Sequence, residues 1–195
     1  MSNGFYTGIS EKAHGRYMPR LFLEYFRKGI PRTCSYEFVN QWNNPNNAEA
    51  NFGLLRNDLS AKPAYKALQN LISVLKEPGA SFVPGVLDYS FTVTPPAGYN
   101  KTKYVHSLLL QKSNKKFYLA IWHEIYSGDI STTPTREIDP PGMPTKITFN
   151  TPISRAVTCV IDDAGTMNLV GTAITNNTIS LNVRERVKII ELMPR

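Results

Sequence analysis

Long apolar runs are absent: nothing in the 195 residues approaches the roughly 18 continuous apolar positions that a membrane-crossing helix requires. A membrane partner is therefore not expected. The opening MSNGFYTGISEK has no charged-then-apolar pattern, so no signal peptide is read in the chain. Cysteine is scarce, with only Cys34 and Cys159. Two cysteines make no disulfide framework, though one long-range bridge stays open. Both lie in apolar, strand-like runs where a free thiol behaves as a small buried hydrophobe. No His/Cys cluster has metal-ligand spacing, so neither a zinc site nor any other cofactor is expected. His14, His106 and His123 are isolated in sequence. His106 and His123 can approach across neighbouring strands, but no Ser or Cys nucleophile motif accompanies them. Asp162-Asp163-Ala164-Gly165 lacks the oxygen-ligand spacing of a calcium loop and reads as a hairpin turn.

Acidic charge is in the minority. The formal net charge is +7, with a pI near 9.4, which permits binding to polyanions. The bases are dispersed, however. Arg16, Arg20, Arg27 and Lys28 fall on one predicted helix, and Lys112, Lys115 and Lys116 at one turn. There is no recognition helix and no zinc-finger spacing. Solvated faces explain this pattern, and nucleic acid is not expected as a partner.

What remains is ordinary globular material, 42% hydrophobic and 19% charged, enough for one large domain or two small ones. A first helix is predicted from Ser10 to Lys28, with Ser10 as N-cap, Glu11 at the positive end and Gly29 as the stop. Tyr17, Leu21, Tyr25 and Phe26 mark its apolar stripe, and Pro19 either kinks it or marks its true beginning. RTCSYEFV reads as a strand, and NQWNNPNNAEANFG as a polar loop. Pro63 opens a second helix whose stripe is Ala64, Leu68, Leu71, Ile72 and Leu75.

After residue 80 the period changes to two. DYSFTVT, YVHSLLLQ, KFYLAIWHEI, TKITFN, AVTCVID, TMNLVG, TISLNV and VKIIEL are short strands separated by turn residues. Eight such strands predict a mainly β fold, an antiparallel, jelly-roll-like β-sandwich. SGDISTTPTREIDPPGMP reads as a long exposed loop. The chain thus divides into a helix–strand–helix piece, 1–79, and a sandwich, 80–195. A lone strand has no ladder partner, so the first piece must pair with the sandwich, another chain or something absent.

The stretch RYMPRLFLEYFRKGIPRTCSYEFVNQW, followed by NFGLLRNDLSAKPAYKALQNLISVLKE, resembles the C-terminal end of clan A glycoside hydrolases, retaining (β/α)8-barrel enzymes often followed by a C-terminal sandwich. SLLLQKSNKKFYLAIWHE and RVKIIELMPR are similar to that sandwich. The resemblance implies that Ser10–Lys28 is the seventh barrel helix, Thr33–Val39 the eighth strand and Lys62–Lys76 the eighth helix. It also implies export of the parent enzymes. Retaining glycosidases need two carboxyls about 5 Å apart, placed in this clan at the ends of strands four and seven. Strand four has no counterpart here, and Met1-Ser2-Asn3 stands where relatives carry a Glu ahead of a Gly-aromatic pair. Neither catalytic carboxylate carries over, and no catalytic residue is assigned.

The candidate sugar-contacting residues are Trp42, Tyr36, Glu37 and Asn40 around the end of the predicted eighth strand, with Trp122 and Tyr126 on the sandwich. Aromatic faces pack on the C–H face of a pyranose. Each has a structural alternative: Glu37 as a satisfied carboxylate, Trp42 as loop packing, Trp122 with Tyr118 as core. Glu37 with Glu49 is the remaining arrangement for hydrolysis. The function expected is non-catalytic binding of a plant-type polysaccharide, xylan or another β-glycan. The alternative is a structural accessory fragment. Uncovered barrel-remnant surfaces make self-association an expected property in either case.

Overall fold

A computed structural model of the chain describes residues 8–44, 47–79, 81–129, 131–132 and 135–195. The Met1-Ser2-Asn3 position discussed above lies outside the described residues. All eight period-two runs are strands. In chain order the strands are β1 Tyr89–Val93, β2 Val105–Gln111, β3 Phe117–His123, β4 Gly128–Asp129, β5 Arg136–Glu137, β6 Met143–Phe149, β7 Ile153–Ile161, β8 Met167–Gly171, β9 Thr178–Val183 and β10 Lys188–Pro194. The Pro-rich segment expected to be a bare loop contains β4 and β5, a two-residue ladder too short to register as a period. Ser127 and Gly128 within it are buried.

The long strands form two antiparallel sheets, ordered β1-β6-β9 and β2-β3-β10-β7-β8. Their facing sides interdigitate. Leu119, Ile121, Ile190 and Leu192 of the larger sheet meet Met143, Ile147, Phe149, Ile179 and Val183 of the smaller. In β6 burial alternates residue by residue, as expected where one face packs and the other meets water. In β3 all seven residues are buried. That continuous apolar run is explained by a third layer.

The third layer is helical. Helix α1, Glu11–Arg27, is capped by the Ser10 hydroxyl, which accepts from the Ala13 N–H at 3.1 Å, and it runs unbroken through Pro19. Helix α2, Pro63–Leu75, starts on proline as expected. Met18, Leu23, Ala64, Ala67, Leu68 and Leu71 of the helices pack on Tyr118, Ala120, Trp122, Cys159, Ile161 and Ile189, the outer face of the larger sheet. The architecture is therefore helices, five strands, three strands. The β7–β8 turn is pressed against α2. Gly165 has φ +79°, a Cβ there would meet the Pro63 carbonyl at 2.5 Å, and its own carbonyl accepts from Asn70 Nδ2 at 2.7 Å.

Two expectations fail. Thr33–Val39 forms no strand; it makes a single parallel bridge, Val39 to Leu55, and its other backbone bonds reach the irregular segment 52–55, since no strand among the described residues pairs with it. Cys34 is consequently exposed, while Cys159 is buried, and both are free thiols. The orientation of α1 is the second. Arg16 and Arg20 are buried rather than solvated, whereas Tyr25 and Phe26, assigned to the core stripe, are exposed. Arg16 reaches Asp163 of the β7–β8 turn through Nε at 2.8 Å and Nη2 at 3.0 Å, and Arg20 donates to the carbonyls of His123 and Ile125. Carboxylates and carbonyls at the sheet end satisfy these guanidinium groups better than water-exposed stems would, so the helix turns its cations inward.

Candidate functional site

The loop from Asn40 to Lys62 is built around one buried ammonium. Lys62 Nζ donates to Asn40 Oδ1 and to the Asn51 carbonyl, both at 2.8 Å. Asn40 Oδ1 also accepts the Gly53 N–H at 3.1 Å, and Asn40 Nδ2 donates to Asn51 Oδ1 at 3.2 Å. Asn51 in turn donates to the carbonyls of Asn44 and Asn47 at 2.7 and 2.8 Å. Gly53 is required by close approach: a Cβ would lie 2.3 Å from the Asn40 nitrogen. Burial lowers the Lys62 ammonium from its ordinary value. The asparagine-rich composition thus supplies neutral acceptors that fix a loop around a cation.

This frame presents aromatic rings. Tyr36 is 69% exposed and Trp42 41%, with Phe38 and Phe52 also exposed. Tyr36 and Phe52 meet edge to face, with centroids 6.2 Å apart, and Gln41 Nε2 donates to the Tyr36 hydroxyl at 2.6 Å. Phe38 meets Tyr65 of α2 in the same manner at 6.2 Å. Backbone bonds from Leu54 N–H to the Glu37 carbonyl and from Leu55 N–H to the Phe38 carbonyl tie the two aromatic segments together.

Of the six expected sugar-contacting residues, two lie on this surface, Tyr36 and Trp42. Asn40 is buried, with both ends of its amide engaged inside the loop, so it positions rather than contacts. Glu37 Oε1 is buried and has no hydrogen-bond partner among the described residues, so the expectation of a fully satisfied carboxylate fails. Trp122 is 0% exposed, sealed between α1, α2 and the larger sheet, and cannot offer a ring face to a ligand. Tyr126 is 77% exposed, but on the segment after β3, where Arg20 and Tyr17 hold the neighbouring backbone. Phe52, Phe38 and Lys62 were missed by sequence reasoning. The NFG and KPAY stretches hold Phe52 and Lys62, yet only a buried amide acceptor distinguishes a loop-organising lysine from a solvated one. His123 also proves internal, buried with Nε2 3.1 Å from the Lys101 carbonyl, and opposite in face to His106.

No protein-family model matches the chain, and neither does any curated protein. Among solved structures, a family 39 glycoside hydrolase from the gut symbiont Bacteroides cellulosilyticus is similar over 97% of this chain, with a TM-score of 0.58 and 18% identity. The fold is glycoside-hydrolase-like. The match takes in 32% of that structure's chain, so the present chain spans about a third of its neighbour. At such identity the likeness is one of architecture. Within the glycoside-hydrolase-like fold described here, no helix among the described residues is long and apolar enough to cross a membrane.

Proposed function

We propose that the chain is a non-catalytic carbohydrate-binding unit that recognises a β-linked plant polysaccharide such as xylan. The observation that carries this reading is a set of exposed rings, Trp42 and Phe52 on a loop whose backbone is fixed by Lys62 and Asn40, and Tyr36 just ahead of it, held edge to face on Phe52 and by Gln41. Rings on a rigid base lose little conformational entropy on stacking against a pyranose. Tyr36 and Trp42 are the stacking residues of this reading, Gln41 supplies an amide at the rim, and Tyr126 belongs to a separate surface. The glycoside-hydrolase-like fold supports the ligand class, and residues 1–79 are read as the closing part of a (β/α)8 barrel. No pair of carboxylates is assigned to acid/base and nucleophile roles, so glycosidic hydrolysis is not expected.

The test is depletion of the protein from solution by insoluble xylan, cellulose and mannan, with reducing-sugar release measured in the same tubes. Depletion without release is expected, and Trp42→Ala with Tyr36→Ala should weaken retention by about tenfold or more, the loss of one or two stacked rings. Retention on none of the three, or sugar release, would sink the reading.

A second reading rests on a different observation. Tyr25, Phe26 and Ile30 are exposed, as is Phe38 of the 33–38 segment, which has no ladder. On this view the chain is a structural accessory that completes a barrel supplied by further polypeptide or by a second copy. It predicts sedimentation above the monomer mass and no retention on glycans.

A further inference from the structure

A cluster unrelated to the aromatic loop lies where α1 crosses the open edge of the larger sheet. Its members come from three elements: Glu24 from the last turns of α1, His106 from the edge strand β2, and Glu124 directly after β3. One ligand atom from each lies within 4.8 Å of the others. His106 Nε2 and Glu124 Oε2 are 2.9 Å apart. His106 stands opposite Trp122 in the ladder, its ring tilted against the indole with centroids 6.0 Å apart, so its imidazole is turned to the helix side. The Glu124 backbone is anchored by its N–H, which donates to the Tyr104 carbonyl at 2.7 Å. Glu24 is buried, His106 is partly buried and Glu124 is exposed, which leaves one side of the cluster open to water.

We propose that Glu24, His106 and Glu124 bind one divalent transition-metal ion of the zinc class, clamping α1 to the edge of the sheet. One imidazole with two carboxylates is a borderline donor set. It suits zinc, cobalt or nickel and is poor for calcium, which prefers six or more oxygens. The opposing charges are close by. Arg27 donates to both Glu24 oxygens at 2.7 and 2.9 Å, and Lys28 Nζ stands 3.2 Å from Oε1. Arg20, held on the carbonyls of His123 and Ile125, is a third cation near Glu124. Arg27 and Lys28 engage Glu24 where the ion would, and both side chains are exposed enough to swing into water when it displaces them. The clamp therefore exchanges surface cations for a tighter one that bridges three elements.

The test titrates zinc chloride into the full chain at neutral pH by calorimetry, in a Cys34→Ser background because that exposed thiol also takes zinc. One equivalent should bind, and His106→Ala and Glu124→Gln should each weaken it by about tenfold or more. Glu124→Gln alters only an exposed side chain, so it serves if His106→Ala fails to fold. Arg27→Gln should strengthen binding, because it frees Glu24; a purely structural ion pair predicts no such gain. Saturating zinc should raise the melting temperature by about 5 °C over the chelator-treated protein. No heat of binding, zinc uptake undiminished in both ligand variants, weaker uptake by Arg27→Gln, or a preference for calcium would each overturn the assignment. None of these outcomes bears on glycan binding.

Discussion

His14 sits on α1 close to Lys62, and burial together with that ammonium pushes its imidazole down to about 4 from an ordinary 6.5. The unfolded chain then takes up a proton in a range where the folded chain does not. Stability is fully present above about pH 6.5 and declines progressively as the pH falls toward 4, by up to about 3 kcal/mol. The window lies mostly above that of the carboxylates. Glu24 is held down by hydrogen bonds from Arg27 and Lys28, and Asp163, despite burial, by those from Arg16 and Arg186, so both lose their contribution only in more acid solution. Urea unfolding followed from pH 7 to pH 4.5 should show this decline in the parent and a markedly flatter profile in His14→Gln. Equal slopes would remove His14 as the cause. Nothing in the sequence distinguishes His14 from His106, because both are lone histidines among mixed neighbours. Arg16 and Arg20 were opaque for a related reason: helical spacing places them on a stripe, but only Asp163 and the carbonyls of His123 and Ile125, distant in sequence, make burial favourable.

The element that decides presentation of the rings is the Asn40–Lys62 loop. Replacing Lys62 by methionine keeps the length of the stem but removes three donors, leaving the Asn51 carbonyl without that partner and Asn40 Oδ1 with only the Gly53 N–H. Hydrogen bonds to a charged group of this kind contribute about 1.5–3 kcal/mol each, so a loss of about 2–4 kcal/mol is expected. Hydrogen exchange should locate the damage, with protection lost across 51–55 while β3 and β10 keep theirs; uniform loss would mean that the loop is not a separate unit. Elements with a period were legible: eight strands and two helices fall where alternation and helical spacing put them, though β3 is buried on both faces and β8 is almost wholly exposed. The missed elements lack that signal. β4 and β5 are two residues each, and 33–39 has β-forming residues but only the irregular 52–55 segment beside it, so propensity without a regular partner gives backbone bonds and one bridge rather than a strand.

For the whole molecule the larger sheet is the shared structural member, covered by helices on one face and by the smaller sheet on the other. A division near residue 80 follows the change of period, yet the core beneath the helices draws on Trp122, Cys159 and Ile189 from beyond that point. The two pieces therefore stabilise one another, and the chain should unfold in a single transition. The molecule contains two tryptophans, which makes this testable. In Trp122→Phe the remaining Trp42 reports on the aromatic loop by fluorescence, while far-UV circular dichroism is dominated by the sandwich. The two urea curves should coincide, with a midpoint below that of the parent. Trp122→Ala, which leaves a cavity between α2 and β3, should lower stability by about 3–5 kcal/mol and shift both signals together. If the Trp42 transition and the loss of helical signal instead both precede the loss of β structure, residues 8–79 are an independent folding unit. The exposed apolar side of α1 would then mark a piece that awaits its barrel, and the accessory reading would gain over carbohydrate binding.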